Sequence, residues 1–109
     1  MTKRVSEAVN EFQNRLILRD GKKIDAIMLY GSVANGRYSP KDSDIDIIVF
    51  SKDKGIDEHI LEIETDVSLK YNVVISALLS TKKEFKDAEK AGYSFPKEVL
   101  KGRVLYERN

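Results

Sequence analysis

The run Ile45 to Phe50, Ile-Asp-Ile-Ile-Val-Phe, is apolar at every position except Asp46. A strand with one wet face alternates apolar and polar residues; one with both faces covered does not, so this segment belongs in the interior of a sheet with helices packed on it. Ile24 to Tyr30 is a second short apolar run, bounded by Lys22-Lys23 and Gly31, and reads as another buried strand. Gly31 to Ser43, which joins them, is rich in Gly, Ser, Asn, Pro and Asp and is therefore a loop, with a helical turn near Val33.

The flanking segments supply the helices that such strands need. Val5, Ala8, Val9, Phe12 and Leu16 follow the i, i+3, i+4 spacing of a helix with one buried stripe, from Val5 to about Arg19, with Asp20-Gly21 ending it. After a charged turn from Ser51 to Gly55, Ile56, Ile60, Ile63 and Val67 return to helical spacing as far as about Lys70. A strand-like run follows from Val73 to Leu79. Thr81 with Glu84 has the capping-box pattern, which predicts a helix carrying Phe85, Ala88 and Ala91, and Gly92 stops it. Pro96 suits the first turn of a further short helix and Gly102 its end, and Val104 to Tyr106 is a last edge strand or a docked tail. This order predicts an α/β (α+β) fold in which a small mixed β-sheet is flanked by helices.

With 109 residues the chain is read as one domain, 1–109, since two would leave neither half enough chain for a core. It has 19 Lys and Arg against 18 Asp and Glu, a net charge of +1, so no global field draws it to nucleic acid or an anionic membrane. Direct nucleic-acid binding is not expected, and an anion must be bound by a local cluster. The absence of cysteine excludes disulfides, thiolate catalysis and Cys-based zinc sites, and fits a cytoplasmic location. No signal-peptide core or membrane span is expected, because the longest apolar-rich run, Val73 to Leu79, is far too short.

The chemistry gathers around the first two strands. Alternate strand side chains share a face, so Asp44 and Asp46 point the same way with Ile45 opposite, and two carboxylates so placed can hold one or two divalent ions. Magnesium suits them, because it takes oxygen ligands and is commonly shared between carboxylates and substrate phosphates. Gly31-Ser32 is a turn with little bulk, where backbone amides and a hydroxyl can approach phosphate oxygens. Gly36 keeps the same loop slim, and Arg37 and Lys41 add positive charge for a group that becomes more negative during transfer. Taken alone, Asp-x-Asp at a strand start and Gly-Ser after a strand are ordinary turn features; each joined to its own strand, they read together as a site.

Gly31-Ser32, Gly36 and Ser43-Asp44-Ile45-Asp46 resemble the signature of the DNA polymerase beta-type nucleotidyltransferase superfamily, especially its minimal nucleotidyltransferase (MNT) branch. The resemblance implies a nucleotidyltransferase palm in which Ser32 contacts the triphosphate while Asp44 and Asp46 bind Mg2+ as the catalytic pair. It implies transfer of a nucleoside monophosphate, AMP from ATP, to an acceptor hydroxyl with release of pyrophosphate. Three departures stand out. Asn35 occupies a position where many relatives have arginine, and the loop from Ser32 to Asp44 is one residue longer than the commonest spacing. Catalytic members also carry a third acidic residue on a later strand, whereas Tyr71-Asn72-Val73-Val74-Ile75-Ser76 has none. Asn72 could offer a neutral oxygen there but cannot act as a general base. Glu64 and Asp66 are expected to be solvated helix charges.

The remaining candidates read as structural. His59, the only histidine, has a surface or helix-packing role; Tyr30 is core; Tyr93 and Phe95 form an exposed contact surface or cover the sheet edge. Minimal nucleotidyltransferases resembling this chain are often paired with a small all-helical HEPN protein, and the resemblance implies an MNT antitoxin that modifies or masks a HEPN ribonuclease. Two functional classes therefore stay open: an enzyme that modifies a partner protein, and a binding module without turnover. Transfer to a small molecule is disfavoured because no second lobe forms a pocket for it. A homo-oligomer is left open.

Overall fold

A computed structural model describes residues 1–39 and 44–108, so Lys41 and Ser43 lie outside the described residues. The chain begins with α1 (Lys3–Asp20), a single 3-10 turn (Gly21–Lys23) and β1 (Ile24–Tyr30), followed by the short α2 (Gly31–Ala34) and β2 (Ile45–Ser51). After a second 3-10 turn (Lys54–Ile56) come α3 (Asp57–Tyr71), β3 (Ile75–Ser80), α4 (Lys82–Lys90), α5 (Ser94–Leu100) and β4 (Arg103–Glu107). The four strands form one mixed sheet in the order β3-β2-β1-β4, with β2 and β3 parallel and the other pairs antiparallel.

The unbroken apolar pattern of β2 has the expected cause. One face of the sheet, carrying Ile45, Ile47, Val49, Ile27 and Leu29, packs with the stripe Val5, Ala8, Val9, Phe12 and Leu16 of α1 and with Ile60, Ile63 and Val67 of α3. Burying a side chain such as Phe12 or Leu16 contributes about 1.5–3 kcal/mol. The other face carries Ala26, Tyr30, Ile48 and Phe50, and Val99 of α5 and Phe85 of α4 pack on it. Thr2 accepts a hydrogen bond from the Val5 amide to start α1, and Arg15–Asp66, Arg19–Glu62 and Lys70–Glu11 ion pairs tie α1 to α3.

Several local features differ from the sequence reading. β3 starts at Ile75, not Val73, because Asn72 caps α3 in a left-handed conformation (φ 54°) and Val73 donates back to the Ser68 carbonyl. Ala91 lies just past α4 as its C-cap. Val104 to Tyr106 is an edge strand, paired to β1 with a register shift between Ile27 and Met28. On the opposite edge, the outward amides of Ile75 and Ala77 donate to the Ser68 hydroxyl and the Glu64 carboxylate, so α3 side chains cover an edge that would otherwise template strand addition. Glu64 is thus half-buried and bonded, not a solvated charge, and burial raises its proton affinity.

The capping box at Thr81 is present in full: its hydroxyl accepts from the Glu84 amide, and the Glu84 carboxylate accepts from the Thr81 amide. Lys54, then the Thr81 amide, hold Glu84 down to about 2. Because the folded value is lowered, this contribution is full at neutral pH and is lost as pH falls from the ordinary carboxylate range through about 2. Thr81→Ala is expected to cost about 1 kcal/mol in urea denaturation, because α4 buries no residue completely and depends on its cap.

Candidate active site

The register of the two central strands brings the predicted residues together. Tyr30, the last residue of β1, pairs with Asp46, so Gly31 emerges beside that carboxylate. Gly31 has φ +74°, and a Cβ added there would overlap Asp46 Oδ2. The left-handed backbone calls for glycine here, and a Cβ would also displace the Asp46 carboxylate. Ser32 follows in the first turn of α2, where amides lack an intrahelical partner. Its carbonyl accepts from the Arg37 amide at 2.8 Å, which folds the loop back on itself. Gly36 turns the loop at φ +71° with open space where a Cβ would lie. The Arg37 side chain is exposed and has no carboxylate partner among the described residues.

Asp44 precedes β2 and is exposed, whereas Asp46 is half-buried on the α4/α5 face of the sheet. Burial, then the charge of Asp44, raises the proton affinity of Asp46. Burial, with a further contribution from Asp46, pushes Tyr30 up to about 12, so its phenol stays neutral. The Tyr30 ring meets Phe95 edge-on at 5.4 Å, and Phe95 is 39% exposed while Tyr93 is exposed at the start of α5. The core reading of Tyr30 agrees with this, whereas Phe95 lies against an interior strand and not over the sheet edge.

No ion pair neutralises Asp44 or Asp46 among the described residues. Two neighbouring carboxylates, with no ion-pair cation on either among the described residues and with Asp44 raising the proton affinity of Asp46, form a donor set suited to a hard divalent ion. No group of three or more His, Asp or Glu is placed to hold a metal among the described residues, where Asp44 and Asp46 stand as a pair. Asn72 does not complete it: the residue is an exposed helix cap, outside β3. A depression of about 440 Å³ lined by Asp25, Lys52, Thr81, Lys82 and Lys83 lies at the other end of the central strands.

One partly buried pair escaped the sequence reading in part. His59 Nδ1 lies 2.8 Å from Asp20 Oδ2, and Asp20 is 5% exposed, so the histidine is a partner for a buried carboxylate between α3 and the end of α1. Ordinary helix-end chemistry suggested Asp20 as a terminator; nothing in the linear sequence linked it to His59. Among the described residues, no helix is long and apolar enough to cross a membrane.

Known proteins give the same picture. Residues 14–109 match the model of the polymerase beta nucleotidyltransferase family. Two Methanocaldococcus jannaschii proteins named as protein adenylyltransferases are similar: MJ0604 is 39% identical over 101 residues, covering 92% of this chain and 96% of its own length. MJ0141 is 32% identical over 83 residues, covering 72% and 81%. Among solved structures, a toxin-antitoxin with AMP-PNP superposes with a TM-score of 0.60 at 18% identity, covering 90% of this chain and 73% of that one. A mutant of the toxin-antitoxin MntA-HpeT superposes with a TM-score of 0.56 at 16% identity, covering 89% and 71%. At such identities the superpositions speak for the fold, and the mixed sheet with its helices is the one they share. Family membership carries a nucleotide substrate and, in general, a divalent metal with it. The glycine turn set against an aspartate pair, the mixed sheet that aligns them and the match over residues 14–109 make this chain a member of the polymerase beta nucleotidyltransferase family.

Proposed function

We propose that the chain is a magnesium-dependent adenylyltransferase that moves AMP from ATP to a hydroxyl on a partner protein, as the antitoxin of a HEPN-type toxin. The observation that carries this reading is the packing of the Gly31 backbone against the Asp46 carboxylate, which makes a phosphate-approaching turn and an acidic pair into one site. The names of the two M. jannaschii relatives support protein as acceptor, and the AMP-PNP in the toxin-antitoxin structure supports an adenine nucleotide and a toxin partner.

In this reading Gly31 and Ser32 bind the triphosphate, Gly36 keeps the loop close and Arg37 swings in from solvent to meet negative charge. Asp44 and Asp46 would hold one or two Mg2+ ions, which supply charge neutralisation at the phosphates. The acceptor oxygen forms a bond to the α-phosphorus, the bond to the bridging oxygen breaks, and pyrophosphate leaves. The hydroxyl proton passes to solvent, since no third carboxylate stands with the pair among the described residues. Positioning and electrostatics carry such chemistry, and no covalent nucleophile is needed.

The same missing carboxylate favours a second reading, in which the palm binds nucleotide or partner without turnover. Labelled ATP and Mg2+, incubated with this chain and its HEPN-type partner, should label the partner. Asp44→Ala with Asp46→Ala should reduce labelling by at least a hundredfold. Neutralisation of the toxin by that double mutant, with no labelling by the wild type, would establish the second reading instead.

A further inference from the structure

The wall that faces the aspartate pair from the neighbouring strand is formed by β3. In the parallel β2–β3 register, Ile45 pairs with Ile75 and Asp46 with Ser76. Paired residues of adjacent strands point to the same face, with backbones about 4.8 Å apart. Ile45 and Ile75 are both buried toward α1 and α3, so Asp46 and Ser76 both point to the α4/α5 face. One step earlier, the Ile45 amide donates to the Val74 carbonyl at 2.7 Å, which sets Val74, 55% exposed, beside Asp44. The pair is thus bordered by a hydroxyl and a valine.

Ser76 differs from the other strand serines. Ser51 donates its hydroxyl to the Lys23 carbonyl and accepts from the Asp53 amide, and Ser80 donates to the Thr81 carbonyl. The Ser76 hydroxyl has no partner among the described residues, although the side chain is half-buried in an otherwise apolar stretch. Magnesium and manganese at a two-carboxylate site keep several waters, and a hydroxyl that fixes such a water orients the whole shell.

We propose that Ser76 is a positioning residue of the ion site: its hydroxyl hydrogen-bonds a water on the ion held by Asp44 and Asp46. The inference rests on the ion-binding role proposed above for the two aspartates. It makes the site a pair of carboxylates with one neutral oxygen.

The test is a titration of the full chain with Mn2+ in the presence of a non-hydrolysable ATP analogue, read by the loss of the free Mn2+ signal in electron paramagnetic resonance. Ser76→Ala should weaken Mn2+ binding about tenfold, as for other groups that orient metal-bound ligands. Ser76→Thr should restore it to within about threefold, and Ser76→Asp should tighten it at least tenfold by adding a third charge. Thermal melting of each variant reports its folding separately. If Ser76→Ala and Ser76→Asp both bind within twofold of wild type while Asp44→Ala with Asp46→Ala loses binding, the Ser76 assignment is wrong and the ion site stands. If the double aspartate variant binds as well as wild type, the ion-site reading itself fails.

Discussion

Gly31→Ala should remove nucleotidyl transfer while leaving most of the fold in place. The backbone at this position has φ +74°, where an alanine costs about 1–2 kcal/mol, and the new methyl would overlap Asp46 Oδ2. The carboxylate and the turn would have to move apart, which separates the acidic pair from the amides of Ser32 and the residues after it. A displacement of about 1 Å in such a site can cost a hundredfold in rate, so transfer should fall by at least that much. Gly36→Ala is the control: it also sits at positive φ, at +71°, but meets nothing within 4 Å. Label transfer to the proposed protein acceptor should therefore fall far less for Gly36→Ala than for Gly31→Ala, although both carry a similar backbone cost. Equal loss in both variants would mean that the approach of Gly31 to Asp46 is unimportant.

The contrast between these glycines marks how far the linear sequence could be read. Both read as loop glycines, and the alternation of Asp44 and Asp46 about Ile45 places the two carboxylates on one face. What the sequence could not contain was the register Tyr30 to Asp46, which decides that Gly31, and not Gly36, touches the carboxylate. Periodicity recovered α1, β1, β2 and α3 because their apolar residues face a core with a fixed repeat. It misplaced the start of β3, because Asn72-Val73-Val74 looks like strand composition while the chain is still leaving α3 through a left-handed cap.

That error had a consequence for the site. Strand composition makes Asn72 look like a neighbour of the aspartates, whereas it caps a helix and the parallel register sets Ser76 opposite Asp46. Strand composition fixes which faces are buried, but a parallel neighbour separated by a 15-residue helix has no turn to fix its register. The pairing of His59 with buried Asp20 was hidden for a similar reason, since the two residues are 39 positions apart.

Gly102→Ala should produce the largest loss of stability of any single methyl addition considered, about 2–3 kcal/mol. Gly102 joins α5 to β4 and passes directly over the end of β1: a Cβ there would overlap the Leu29 carbonyl oxygen and lie 3.0 Å from both the Leu29 carbonyl carbon and the Tyr30 Cα. These are backbone atoms of a central strand, paired on both sides, and they cannot give way as a flexible side chain would. The strain must instead push β4 and α5 off the sheet, which loosens Val99 and the edge-on contact of Phe95 with Tyr30. Tyr30 in turn pairs with Asp46, so the disturbance reaches the site through β1. For a domain of this size about 1 kcal/mol corresponds to roughly 4–8 °C, and the melting temperature of Gly102→Ala should drop by about 10–20 °C. Gly21→Ala, whose Cβ would meet only a side-chain methyl of Ile17 at 3.3 Å, should melt close to wild type. A Gly102→Ala protein with an unchanged melting temperature would mean that the α5–β4 connection can slide away from β1 without cost.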